Sequence, residues 1–440
     1  MRIKNTLNKY LNKLDIHTLE VVKKSSASTV VKVAGMAIGL GVSIFLGRTI
    51  GADGLGIINL SHRIVNILIV VGLLGMQQVI VKEVAIAHGK KDYEHIGNVM
   101  YSAYWLNVGI TLSISIILIL FAPWVAENVF HEPRLTYPLI IAIIVLTPQV
   151  FSRIFASGLN GYRKIWQSNL VDKTLSIFAT GIFLLLCTWL NIKIDIINVA
   201  VCYGLGRLVV TVSIGLYWRS LNKLKFKRKY IGKQLWNTSR HLFIAAFANI
   251  FSTNIDVLML GNLASSSEVG TYTVASRLAL LISFFLQVTN SSISPKIAAL
   301  YEKGSMKELE LMIQKVTRGL GLIALIPLIT FIIAGKFILG IWGNEFIDAY
   351  LILIILAVGQ FFNISTGAAG LMLTMTGHEK TIKNISLAFV IINIFLNYFL
   401  IRFWGALGAA LSMAIVVSSQ NLIKVIYVKR FTKITTVRLI

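Results

Sequence analysis

Six charged residues stand inside long apolar runs of this chain: Lys32, Arg63, Arg153, Arg207, Asp256 and Arg277. A charge at the middle of a hydrocarbon layer costs about 2.5–3.5 kcal/mol on insertion scales, so each needs a polar cavity, a partner or a route to the interface. Arg63 has polar company. Asn59, Arg63 and Asn66 are spaced i, i+4, i+7 and share one helix face. Arg277 lies on a similar stripe with Thr273 and, further along, Gln287 and Ser291. A guanidinium offers a permanent charge and a planar fork of donors, which suits an oxyanion held bidentately. The alternative for both arginines is a structural ion pair, or a side chain that snorkels to the interface. Asp256, on the stripe Asn249, Thr253, Asp256, also has two readings. It neutralises Arg277, or it binds a small cation such as H⁺ or Na⁺. Arg207 sits near the middle of its run, where snorkelling is hardest. Lys32, about two turns inside the first run, and Arg153 have shorter routes to water. Lys173, beside Asp172, reads as part of a local interface arrangement.

The elements that carry these residues follow from composition. Of 440 residues, 56% are hydrophobic and 14% charged, where soluble proteins are about 25% charged. The apolar residues come in runs of about twenty, the length that crosses a hydrocarbon layer roughly 30 Å thick. No segment alternates apolar and polar residues as strands of a membrane barrel do. The expected class is therefore all-α and polytopic, with about twelve transmembrane helices. The chain carries 42 Lys+Arg against 18 Asp+Glu, a formal charge of +24. In a membrane protein such an excess marks the cytoplasmic connections, and no nucleic-acid partner is expected. Cys187 and Cys202 read as small buried hydrophobes. There is no phosphate-binding glycine loop, no Ser/His/Asp set and no metal cluster of recognisable spacing. Nor is any connection long enough for a catalytic domain. The chain is expected not to be an enzyme, and to need no cofactor beyond a coupling H⁺ or Na⁺.

Basic residues order the connections. Residues 1–25 carry Arg2, Lys4, Lys9, Lys13, Lys23 and Lys24, with Ile3, Leu7, Leu11 and Leu14 at amphipathic spacing. The second, fourth and sixth connections and the tail are basic. The odd connections hold Arg48, Arg134, Lys193, Lys336 and Arg402. The positive-inside rule then places both termini in the cytoplasm. The expected organisation is a cytoplasmic segment at 1–25, six helices in 26–218, a basic linker at 219–240, six more helices in 241–428 and a cytoplasmic tail at 429–440.

The two sets of six are related. Residues 45–64, FLGRTIGADGLGIINLSHRI, align without gaps to 259–278, MLGNLASSSEVGTYTVASRL. Gly47 meets Gly261, Gly56 meets Gly270, Arg63 meets Arg277 and, further on, Lys82 meets Lys296. Both repeats start on the same side, so they are parallel repeats. Transporters built this way hold substrate between the halves and alternate access by rocking them.

LGRTIGADGLGIINLSHRI, and Asp256 followed by VLMLGNLASSSEVGTYTVASRL, resemble the first turns of the two halves in Wzx-type polysaccharide flippases. These belong to the multidrug/oligosaccharidyl-lipid/polysaccharide (MOP) transporter superfamily, and the resemblance covers essentially the whole chain. It implies a MATE-like fold. It also implies translocation of an undecaprenyl-diphosphate-linked oligosaccharide, an O-antigen or related repeat unit, across a bacterial cytoplasmic membrane. An ion gradient or the membrane potential is the expected energy source. A polysaccharide polymerase and a chain-length regulator are the partner proteins that such a role leaves open. In this reading Arg63, Arg277, Arg207, Lys32, Arg153, Asn59 and Asn66 meet the diphosphate and first sugars. Asp256 is the ion-coupling group or the charge partner. An H⁺- or Na⁺-coupled drug exporter of the same superfamily is the alternative. It would need an acid-lined cavity, whereas buried cations outnumber buried acids in the first half.

Overall fold

The computed structural model describes the backbone of residues 16–221 and 228–436. Within these it describes all side chains except those of 16–28, Asp172, Lys173, Ala245 and Ser291. The amphipathic segment before residue 16 and the Asp172–Lys173 arrangement therefore lie outside the described residues. All described elements are helical. A backbone crossing hydrocarbon must satisfy its own N–H and C=O groups, which a helix does within one segment.

Eight helices among the described residues are long and apolar enough to cross a membrane. Two of them are too long for one crossing. Ile16–Leu73 has 58 residues, roughly 87 Å at 1.5 Å per residue. It breaks at Gly51, where φ is 69° and ψ is −175°, giving α1 (16–50) and α2 (52–73). Glu379–Thr432 breaks at Gly405, with φ 53° and ψ −132°. A left-handed φ of this kind is open to glycine and costly for other residues. Gly51 falls in the connection expected between the first two spans, and Gly405 at the first residue of the last expected span.

The remaining spans follow in chain order. After α3 (Met76–Gly89) come α4 (Tyr93–Trp124), then α5 (Thr136–Ile144) and α6 (Leu146–Gly161). Pro133–Ile144 and Leu146–Gly161 meet at a bend of 43° and count together as the fourth expected span. The fifth span runs through α7 (Ile165–Asn169), a π-helical turn at Leu170–Leu175 and α8 (Ser176–Trp189). The sixth is α9 (Ile196–Leu221). The second repeat holds α10 (Gly232–Leu263), α11 (Ser266–Glu302) and α12 (Met306–Gly340). It continues through α13 (Tyr350–Ser365), α14 (Ala369–Met375), α15 (379–404) and α16 (406–432). The breaks, the bent pair and the shorter fifth span account for the twelve expected crossings.

The contacts divide the chain into two compact units that are not continuous in sequence. The first comprises Met1–Val42, Val65–Pro123 and Thr136–Ile250. Within it, Thr174 donates to the Val31 carbonyl at 3.1 Å, where α1 passes the π-helical turn closely at Gly35. A buried hydroxyl contact, Thr147 to Thr111 at 3.1 Å, joins the fourth span to α4. Cys187 and Cys202 meet at an Sγ–Sγ distance of 3.7 Å, both free thiols. The second unit comprises Ser43–Ile64, Trp124–Leu135 and Phe251–Ile440. Ile297, Leu309, Ile313, Met372, Leu373 and Val428 form an apolar core at one end of it.

Replacing Gly405 by Ala puts a Cβ into a left-handed position, against the Glu268 carboxylate. We expect a stability loss of about 1–3 kcal/mol, read as a lowered thermal midpoint in detergent. Gly109→Ala, in open space on α4, should leave the midpoint unchanged.

Candidate anion-binding site

The arginines of the repeat descend from two helix starts within the second unit, built differently. α11 begins with a capping box. Ser265 Oγ accepts from the Glu268 N–H at 3.3 Å, and Glu268 Oε2 accepts from the Ser265 N–H at 3.2 Å. α2 has no local cap, because Gly51 precedes Ala52. A remote carboxylate serves instead: the Ala52 N–H donates to Glu345 Oε2 at 3.0 Å, placing negative charge at the positive end of the helix. At the other start, Ser266 Oγ donates to Glu132 Oε2 at 2.8 Å. Ala52 and Ser266 are equivalent in the repeat, and Glu132 and Glu345 fall within one residue of equivalence. Thus the turn after the third span holds the start of the eighth, and the turn after the ninth holds the start of the second.

Arg134 adds an ion-pair cluster. Its Nη1 lies 2.6 Å from Asp53 Oδ2 and its Nη2 2.8 Å from Glu132 Oε2. Asn262 donates to the Val129 carbonyl beside it. The side chains of Arg134 and Asp53 are 55% and 42% exposed, so this pair is worth only about 0.2–1 kcal/mol. The Arg134 guanidinium, helped by the Ser266 hydroxyl and opposed by partial burial, holds the Glu132 carboxyl below its ordinary range. Its contribution is therefore present at neutral pH and is lost only as pH falls through that lowered value.

One turn into each helix the backbones touch. A Cβ on Gly56 would overlap the Ser266 carbonyl, and one on Gly270 would overlap the Ala52 carbonyl. The two repeat glycines are the crossing point of α2 and α11. Beyond it stand Asn59, Arg63 and Arg277. Arg277 Nη2 donates to Asn59 Oδ1 at 2.9 Å, and Asn59 is anchored by its own donation to the Leu55 carbonyl at 2.8 Å. Arg63 Nη1 donates to Asn254 Oδ1 at 3.1 Å. The partner of Arg63 is thus a neutral amide on α10, with Arg277 and Asp256 acting on it through space, one repelling and one attracting.

Asp256 is buried, and its hydrogen bonds run to neutral side chains. The carboxylate accepts from two asparagines of α15: Asn397 Nδ2 at 2.7 Å and Asn393 Nδ2 at 3.0 Å. Asn393 Oδ1 in turn accepts from Asn397 Nδ2 at 2.9 Å and from Ser412 Oγ of α16 at 3.0 Å. The buried Tyr272 hydroxyl faces the same carboxylate. Similar depth suggested an ion pair with Arg277, but depth does not fix azimuth. Asp256 points to α15 and α16, while Arg277 reaches α2. Asn249 and Thr253, expected on the same stripe as Asp256, are exposed.

The other candidates lie in the first unit. Arg153, Arg207 and Asn66 are half-buried and Lys32 is exposed. Lys32, Arg153 and Arg207 each interact with a neighbouring group. Sequence reading missed the Asn393–Asn397–Ser412 set. It also missed a second amide cluster, where Lys424 Nζ donates to Gln420 Oε1 at 3.1 Å. Nearby in sequence, Asn421 donates to Asn363 and Asn363 to Gln360, at 2.9 and 3.1 Å. The available signal was polar residues three or four apart inside apolar runs: Asn393 and Asn397, Gln360 and Asn363, Gln420 and Lys424.

Asn397→Leu removes the shortest donor to a buried carboxylate, at an expected cost of about 1–3 kcal/mol. Thermal unfolding in detergent reads it. In an Asp256→Asn background the loss should shrink, because a neutral amide needs fewer donors. Equal losses in both backgrounds would mean that Asn397 acts through packing alone.

Known proteins share the family and the fold of this chain. Residues 21–301 match the family described as polysaccharide biosynthesis protein, and residues 242–399 match the MatE family. A protein of Haloferax volcanii named probable low-salt glycan biosynthesis flippase Agl15 is 25% identical over 408 residues, covering 90% of this chain and 80% of that one. The solved structure of the lipid II flippase MurJ, in an inward closed conformation, superposes with a TM-score of 0.70 at 16% identity. It covers 93% of this chain and 87% of that one. An inward-facing multidrug resistance MATE transporter of the MOP superfamily gives 0.69 at 13% identity, covering 90% and 98%. These two likenesses establish the fold. With the family match spanning residues 21–301, the chain belongs to the polysaccharide biosynthesis protein family, with the fold of the MOP transporters.

Proposed function

We propose that the chain is a flippase that carries a polyprenyl-diphosphate-linked oligosaccharide across a cytoplasmic membrane, from the inner to the outer leaflet, by alternating access. Both termini lie in the cytoplasm in this reading, and undecaprenyl is the carrier if the host is bacterial. What most supports it is the setting of Arg63. Counted at 1.5 Å per residue, Arg63 lies about 18 Å along α2 from the Gly51 break, near the middle of a layer roughly 30 Å thick. Its hydrogen-bond partner there is the amide of Asn254 rather than a carboxylate. A neutral partner orients a guanidinium without cancelling its charge, which stays available to a diphosphate. Arg277, the repeat equivalent, stands at the same distance from its own helix start. The diphosphate and first sugars would sit near this depth while the polyprenyl tail remains in lipid. The relative named as a glycan biosynthesis flippase points to the same substrate class.

Asp256 is better suited to coupling than to neutralising an arginine. Asn397 Oδ1 is buried and has no hydrogen-bond partner, and it belongs to the residue that donates to Asp256. Together with Asp256, Asn393 and Ser412 it offers an oxygen-rich, singly charged set, suited to Na⁺ and equally able to take H⁺ at the carboxylate. The competing reading, export of cationic drugs, asks for acids in the binding path. Here the midplane charges on α2 and α11 are both arginine.

Transport is tested by following which leaflet of a proteoliposome holds a fluorescent polyprenyl-diphosphate oligosaccharide. Arg63→Ala should slow translocation about ten- to a hundred-fold, the loss of a charge-assisted contact of 1.5–3 kcal/mol. Arg63→Lys should retain part of the rate. Normal translocation by Arg63→Ala at matched expression would remove the residue from the path, and movement of cationic dyes in place of the lipid would replace the substrate class. Coupling is read separately. An imposed Na⁺ or H⁺ gradient should accelerate the wild type and leave Asp256→Asn unaffected, whereas an equal response from both proteins would place coupling elsewhere.

A further inference from the structure

The first unit holds a cavity of about 960 Å³ away from the arginine pair. Its walls come from the start of α4, the end of α9 and Phe155 of α6. The walls are largely aromatic and aliphatic, with Tyr101, Tyr104, Trp105 and Trp218 prominent, and the rim carries Arg219, Arg228 and Glu94. Arg219 belongs to the last turn of α9. Arg228 is fixed by a strap of chain leading out of the basic linker. The Lys229 N–H donates to Asn98 Oδ1 and the Ile231 N–H to the buried Ser102 Oγ, both at 2.7 Å. This strap lays the Arg228 guanidinium 5.8 Å from the centre of the Tyr101 ring, a cation–π contact.

Two apolar tracks lead away from the cavity. On α4, Trp105, Leu112, Ile116 and Leu120 are exposed at spacings of seven, four and four. On α9, Leu205, Val212 and Leu216 are exposed at spacings of seven and four. Each set is one helix face, turned outward as lipid-facing stripes are. Trp105, Val212 and Leu216 belong both to a track and to the cavity wall.

We propose that this cavity binds a glycerophospholipid of the cytoplasmic leaflet. The phosphodiester lies between Arg219 and Arg228, and the two acyl chains follow the tracks of α4 and α9. The leaflet rests on the orientation given by the basic connections. Two features favour this lipid over a polyprenyl diphosphate. Among the described lining residues, two arginines against one glutamate leave a single positive charge, which a phosphodiester balances. There are also two tracks for two chains. Bound there, the lipid ties the basic linker to α4 through Arg228.

The test uses the full chain in detergent, titrated with phosphatidylglycerol and, in a separate arm, with undecaprenyl diphosphate, and read by native mass spectrometry. The wild type should retain one phosphatidylglycerol molecule. The Arg219→Gln/Arg228→Gln protein should lose at least four-fifths of that adduct, while Arg402→Gln retains it. Equal retention by the double variant, or tighter binding of undecaprenyl diphosphate at the same arginines, would overturn the assignment. Should the double variant fail to fold, a phosphatidylglycerol bearing a photoreactive chain decides on the wild type. Labelling of peptides from 93–120 and 205–221 supports the site, and labelling confined to other helices refutes it.

Discussion

The contact on which the second unit depends is backbone against backbone: Gly56 of α2 on the Ser266 carbonyl and Gly270 of α11 on the Ala52 carbonyl. No side chain separates the helices there, so the next residues along each are brought into reach of the other. That is why Asn59, one turn past Gly56, meets Arg277. The repeat supplies the crossing twice over, once from each helix. It is not copied in full, however. By symmetry Arg63 would bond to Thr273, the equivalent of Asn59, yet it bonds to Asn254 on a third helix.

The second theme is how charge is kept in a low-dielectric interior. A buried ion pair cancels its own field and costs desolvation on both sides. Two charges of this chain are instead held by amides. Asp256 takes donors from Asn393 and Asn397, and Arg63 gives to Asn254. An amide can serve as donor or acceptor and carries no net charge. The charges are oriented and still felt at a distance. The Asp53–Arg134–Glu132 cluster, by contrast, pairs acid with arginine where water reaches Arg134 and Asp53.

Much of this was legible in the sequence. Run length gave the helical class and the spans, because hydrocarbon thickness sets a length that few soluble helices need. The ungapped alignment of 45–64 with 259–278 identified Gly56, Gly270, Arg63 and Arg277 as one set, and the structure joins their helices. What periodicity could not give was azimuth across helices far apart in sequence. Asp256 read either as the neutraliser of Arg277 or as a cation site, and its carboxylate accepts from Asn397, 141 residues away. Arg134 was legible only as one of the few basic residues of the odd connections, because its acidic partners are split between its own turn and Asp53. The roles of Glu132 and Glu345 were hidden for the same reason. A carboxylate in a turn looks like any solvated acid until the helix end that it caps is known.

The exchange of those two carboxylates bears on how the chain is made. Ala52 and Glu345 are 293 residues apart, and ribosomes add about 5–20 residues per second. On the order of fifteen seconds to a minute therefore separates the synthesis of the second span from that of its cap. During that time α2 stands in the membrane with its first amide groups unsupported, and until α11 begins at Ser266 its crossing partner does not yet exist either. The first repeat cannot be completed on its own. Its last element is supplied by the second, which makes the order of insertion, and any pause in the basic linker between them, part of how this protein reaches its fold.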